Sequence, residues 1–88
     1  MTVQTLHIEF EPSEGALLRL IGLIERRGYD VASLHLPSSA GGDVNLDLGV
    51  RPRDDNRDIS ILQRQIRRLI GVRRVLGELE IQQQKNGG

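Results

Sequence analysis

The sequence predicts an α+β domain of the ferredoxin-like kind, β-α-β-β-α-β, with two helices on one face of a four-stranded antiparallel sheet. Two patterns carry that prediction. Apolar residues alternate with polar ones at Leu6, Ile8 and Phe10 and again at Val44, Leu46, Leu48 and Val50, the period of a strand with one buried face. Leu17, Leu20, Ile21 and Ile24, and later Ile59, Leu62, Ile66, Leu69 and Ile70, recur at the spacing of a helix with one buried stripe. One apolar face per strand and one stripe per helix is what two packed layers need.

Taken in order, the first strand is broken by Pro12-Ser13. Ser13 is the expected N-cap of the first helix, with Glu14 acidic in its first turn. Gly22 inside that helix costs about 1 kcal/mol relative to alanine, and either admits another backbone or is merely tolerated. Gly28 stands where a left-handed cap would end the helix. The second strand is expected to bury Ala32, Leu34 and Leu36 and to turn Val31, Ser33 and His35 outward.

Pro37 to Gly42 is a flexible connection, short enough to make strands two and three an antiparallel hairpin. Arg51 to Asn56 is a polar break that offers Asp54, Asp55 and Asn56 as caps for the second helix, which Gly71 closes. Val75, Leu79 and Ile81 suggest a fourth strand, with Leu76 out of phase at a bulge. Residues 1–81 then form one domain. The run 82–88 has no apolar residue and is expected to be a disordered tail.

Composition narrows the function classes. The 88 residues include one Phe, one Tyr and no Trp, so almost no aromatic surface is available to stack a base. Twelve basic and twelve acidic side chains cancel, and bulk charge therefore points to neither a nucleic-acid nor a membrane partner. The absence of cysteine excludes disulfides, thiolate metal sites and cysteine nucleophiles together. The start lacks the pattern of a signal peptide, and the apolar run around Leu20 to Ile24 is far too short to span a bilayer. A cytoplasmic location is expected.

The main site candidate is the turn Glu11, Pro12, Ser13, Glu14, Gly15, Ala16 and Leu17. Free N–H groups at a helix start, with Gly15 permitting close approach, would suit an effector or a partner's backbone. His7 and His35 flank Asn45 and Asp47 on the open face of the sheet. That set would suit a divalent metal in chemistry, but a solvated or partner-covered polar face is the expected reading, and no metal is assigned. Arg57, Arg64 and Arg68 share a line on the second helix, with Arg67 nearby, as the wet side of a helix does. No nucleophile–base spacing, paired-carboxylate motif or phosphate loop is present, so no catalytic residue is assigned.

The stretch Gly15-Ala16-Leu17-Leu18-Arg19-Leu20, continuing to Arg27-Gly28-Tyr29-Asp30-Val31-Ala32-Ser33-Leu34, resembles an ACT domain. Within that family, Arg-Gly-Tyr followed by a Ser33-Leu34 strand is most similar to the small regulatory subunits of acetolactate synthase, of the short, isozyme II type. Gln65 to Val72 followed by Val75 resembles their second helix-to-strand passage. The resemblance, over residues 3–81, implies a non-catalytic subunit. It would form a homodimer and bind the catalytic large subunit, with a possible amino-acid effector. Thiamine diphosphate, Mg²⁺ and flavin would belong to the large subunit, leaving this chain without a cofactor. The alternative implied is a free-standing ACT sensor homodimer; a nucleic-acid module is a third class. One departure stands out. The usual Asn-x-Pro-Gly turn is here Pro12-Ser13-Glu14-Gly15, and a Glu14 carboxylate at the helix start would repel an amino acid's carboxylate.

Overall fold

The computed structural model describes residues 2–37 and 42–86. In order they form β1 (Gln4–Phe10), α1 (Ala16–Arg26), β2 (Tyr29–His35), β3 (Val44–Pro52), α2 (Ile59–Arg67), β4 (Val72–Leu76) and α3 (Glu78–Asn86). Residues 38–41 of the expected connection and 87–88 of the expected tail lie outside the described residues. The strands form one antiparallel sheet in the order β2-β3-β1-β4. The β1-α1-β2 unit therefore crosses over β3, and the β3-α2-β4 unit crosses over β1, which interlocks the two halves.

The two central strands supply most of the core. Leu6 stands opposite Leu48, Ile8 opposite Leu46 and Phe10 opposite Val44. Leu6, Ile8, Leu46 and Val50 have no exposed surface at all. Leu20, Leu23 and Ile24 of α1 and Leu62 and Ile66 of α2 close over them; in α1 Leu23 joins the core where Ile21 was expected, while Leu17 is only partly buried. The core cluster includes two aromatic rings, Phe10 and Tyr29.

Strict alternation fails at the edges. In β2 the register slips between Val31, opposite Val50, and Ser33, opposite Gly49. Ala32 is the extra residue of a bulge, so Val31 packs on the core where Ala32 was expected. In β4 the slip falls at Arg73, with Phe10 opposite Val72 and Glu9 opposite Arg74. The expected bulge at Leu76 is thus three residues earlier. Each bulge lets two apolar residues three apart, Val31 and Leu34 or Val72 and Val75, keep the same face.

Other expectations change as well. The cap of α2 is Asp58, whose Oδ1 accepts from the Ser60 N–H at 3.0 Å, rather than Asp54, Asp55 or Asn56. The helix ends at Arg67, so Ile70 falls in the following turn and is 98 % exposed instead of extending the stripe. Leu79 and Ile81 belong to α3 and not to a fourth strand, and residues 82–86 of the expected tail continue that helix. Glu80 anchors it by accepting from the Gly77 N–H at 3.0 Å. A Cβ at Gly22 would meet nothing closer than the Arg26 guanidinium, so no second backbone approaches and the glycine is tolerated.

Leu48→Ala should cost about 2–5 kcal/mol of unfolding free energy, the range for a fully packed core leucine, against less than about 1 for the half-exposed Leu34→Ala. Chemical denaturation of the two variants checks this. Burial first, then the Asp58 and Asp54 carboxylates, push the Tyr29 hydroxyl above its usual 10.0, with Arg57 opposing. The unfolded chain then loses this proton first, so Tyr29 favours folding fully below that value and its contribution is lost as pH rises through the folded one. Near-ultraviolet titration of this single tyrosine should show a midpoint above that of the denatured chain.

Candidate functional site

The Glu11–Leu17 turn is built where β1 leaves the sheet. Phe10 is buried, and the next residue is pinned at once: the Glu11 N–H donates to the Gly71 carbonyl at 2.8 Å, tying the end of β1 to the turn before β4. Gly71 has φ +91° there, a left-handed conformation that costs any other residue about 1–2 kcal/mol. Pro12, Ser13 and Glu14 are exposed. The Ser13 carbonyl accepts from the Ala16 N–H at 3.1 Å, and the Gly15 carbonyl accepts from the Arg19 N–H at 2.9 Å, which starts α1.

Gly15, not Ser13, occupies the N-cap position, at φ +76° and without a side-chain cap. The first turn of α1 contains no acidic residue, so Glu14 lies outside it. Glu14 directly precedes the cap and is exposed. Arg19 folds back over the turn, donating from Nη1 to the Glu14 carbonyl at 3.1 Å and from Nη2 to Ser13 Oγ at 3.4 Å. Arg73 stands on the other side, 3.7 Å from Glu11 Oε2 and bonded to Asp43 at 2.9 Å. The Asp43 hydrogen bond, then the charges of Asp43 and Glu11, hold the Arg73 guanidinium protonated more firmly than usual. The turn thus carries two guanidinium groups beside the positive end of a helix dipole.

Ser33 and Leu34 are not gathered to this turn. Ser33 stands opposite Gly49 and Leu34 opposite Leu48, whereas Phe10 at the turn stands opposite Val44. With β3 between, the separation is on the order of 15 Å within one chain. The Ser33 hydroxyl lies over Gly49, in space that a side chain at that position would fill.

The open-face histidines divide. Both ring nitrogens of His7 meet carboxylates, Nδ1 with Asp47 Oδ1 at 2.7 Å and Nε2 with Glu9 Oε2 at 3.2 Å. His35 is opposite Asp47 in register, yet no group of three His, Asp or Glu suited to a metal ion occurs among the described residues. The cationic line expected on α2 is also dispersed: Arg57 pairs with Asp54 at 3.1 Å and Arg67 donates to the Val75 carbonyl at 3.0 Å.

Neither Arg19 nor Arg73 is marked as a turn residue by the spacing of the sequence. The signal available for Arg19 was its position one turn after Gly15, within reach of the carbonyls that precede the helix. Gly15→Ala should cost about 1–2 kcal/mol through its left-handed backbone and should displace Arg19, whose Nη1 would lie 3.1 Å from the new Cβ. Arg19→Met, which keeps the backbone, should change stability by no more than about 0.5 kcal/mol. Denaturant midpoints for the pair separate backbone strain from loss of the guanidinium.

Solved structures place this arrangement among known folds. The crystal structure of the ACT domain from GTP pyrophosphokinase of Chlorobium tepidum superposes with a TM-score of 0.69, at 17 % identity, covering 86 % of this chain and 96 % of that one. A solution NMR structure of the same domain gives 0.66, also at 17 % identity, covering 85 % and 83 %. The family model described as "ACT domain" matches residues 12–75, from the Pro12 turn through α1, β2, β3 and α2 into β4. With most of the described chain inside that match, this protein belongs to the ACT domain family.

Proposed function

We propose that this ACT domain is a non-catalytic regulatory subunit of acetolactate synthase (acetohydroxyacid synthase). It binds the thiamine-diphosphate-dependent catalytic subunit in the cytoplasm and activates or regulates it in branched-chain amino-acid biosynthesis. The observation that supports this reading is a coincidence of position. The segment that carries the resemblance to synthase small subunits, Arg27 to Leu34, is also the free edge of the sheet, since β2 has β3 on one side only. An edge strand offers unpaired backbone groups to another chain. Leu34 and Leu36 are 41 % and 47 % exposed along it, and Leu18 of α1, which packs on β2, is 76 % exposed.

In this reading the β2 edges of two copies pair to form a homodimer, and another surface of the dimer meets the catalytic subunit. The chain has no active site and no cofactor of its own; thiamine diphosphate, Mg²⁺ and flavin belong to the partner. No helix among the described residues is long and apolar enough to cross a membrane.

A second reading is a free-standing ACT sensor that holds an amino acid between two protomers, supported by Arg19 folding over the start of α1. Arg19, Arg73 and the N–H groups of the first helical turn would suit its carboxylate. Calorimetry on the chain alone separates the two readings, because a sensor binds an amino acid without a catalytic partner.

Mixing the purified chain with a synthase catalytic subunit should give co-elution and a several-fold rise in acetolactate formation, and the chain alone should form none. No change on mixing would sink the synthase reading. Leu34→Asp should convert the homodimer to monomer at micromolar concentration, read by sedimentation, while leaving the circular dichroism spectrum intact. A burial cost of a few kcal/mol for the unpaired charge sets the scale.

A further inference from the structure

One apolar residue of the sheet is buried on the wrong side. Leu76 stands opposite His7, and His7 alternates with the core residues Leu6 and Ile8, so the Leu76 side chain points to the open face. It is nonetheless only 8 % exposed, and it is not part of the core cluster. Helix α3, which follows directly and packs on β1 and β4, is the element placed to shield it. Ile81 of α3 is partly buried and shares a cleft of about 200 Å³ with Thr5, another open-face residue.

The helix itself is lightly held. None of residues 78–83 is buried, and Leu79 is 75 % exposed. A second cleft, of about 220 Å³, opens between it and Gln4, Ile59 and Gln63. A nine-residue helix is marginal by itself in water, so its docking is what keeps it formed. The polar hold is a single side chain. Glu80 Oε1 accepts from the Gly77 N–H at 3.0 Å and from Gln63 Nε2 at 3.4 Å, and its Oε2 lies 3.9 Å from the Arg67 guanidinium. The first of these is the return bond of a capping box; the second ties the helix to α2. Gly77, between β4 and α3, lets the Gln63 amide lie against the backbone, for a Cβ there would stand 2.5 Å from Gln63 Nε2.

We infer that α3 is a releasable strap. Docked, it covers Leu76 and the adjoining end of the open face; released at Gly77, it uncovers them while the four strands and the other two helices stay folded. The core cluster contains no residue of α3, so release breaks no core contact. Glu80 sets the balance, because one carboxylate both caps the helix and joins it to α2. The strap thereby withholds an apolar side chain from anything that meets the open face. It is separate from the Glu11–Leu17 turn and from the β2 edge, and it stands whether or not a synthase subunit is the partner.

The chain has no cysteine, so a Leu76→Cys substitution supplies its only thiol. Under native conditions a disulfide reagent should label that thiol at least about tenfold faster than the thiol of a Leu48→Cys control, because the first needs local release and the second global unfolding. Low denaturant should barely change the rate at Leu76→Cys and should raise it steeply at Leu48→Cys, since little surface is exposed when only the strap opens. Adding Glu80→Ala to Leu76→Cys should speed labelling about fivefold, the loss of one capping interaction. Equal rates at the two positions, an equally steep denaturant dependence, or no acceleration by Glu80→Ala would each overturn the inference. So would labelling of Leu76→Cys as fast as that of the exposed Leu79→Cys, which would show that no docked state protects it.

Discussion

Covering β1 and β3 with two helices is the constraint from which the other features follow. Both strands lie inside the sheet, and every position on their inner face from Leu6 to Phe10 and from Leu46 to Val50 is buried. Helices of nine and eleven residues are shorter than the strands of seven and nine that they cover, because a helix rises about 1.5 Å per residue and a strand about 3.3 Å. Strands β2 and β4 are consequently half covered. Their sequences follow suit, with one bulge each, where a strict alternation would have wasted an apolar residue on solvent.

That division explains which parts of the fold were legible in the sequence. Central strands show clean period-two alternation because both neighbours enforce one register; Val44 to Val50 reads without ambiguity for this reason. Edge strands have one neighbour, so a bulge at Ala32 or Arg73 costs little and leaves no trace in composition. Helix interiors were legible for the same reason as the central strands, but their ends were not. Asp58 was not among the three expected caps because nothing in the sequence distinguishes it from Asp54, Asp55 and Asn56 until one of the four has a free N–H two residues on. Ile70 looked like stripe because the spacing continues after the helix has stopped. The α3 segment has no apolar periodicity to read; its start is held by Glu80 bonding back to Gly77, a contact of local geometry.

The candidate site was legible only in outline. Gly15 marked a turn that needs a left-handed residue, and the turn is there. Glu14 adjoins the helix start in sequence, and Arg19, one turn later, folds onto the same turn. A helix brings residue i+4 back over residue i, a proximity that sequence order alone does not display. Ser33 and Leu34 lie apart from the turn because β3 stands between β2 and β1.

The two ends of α1 present opposite situations to a ligand. At its start the unpaired groups are backbone N–H donors at an exposed turn, where water satisfies them and nothing is lost while they wait. At its end the unpaired group is a phenol shut inside the protein, where the missing hydrogen bond costs stability continuously. Phenylalanine would fill the same space without that cost, so packing alone gives no reason for the hydroxyl.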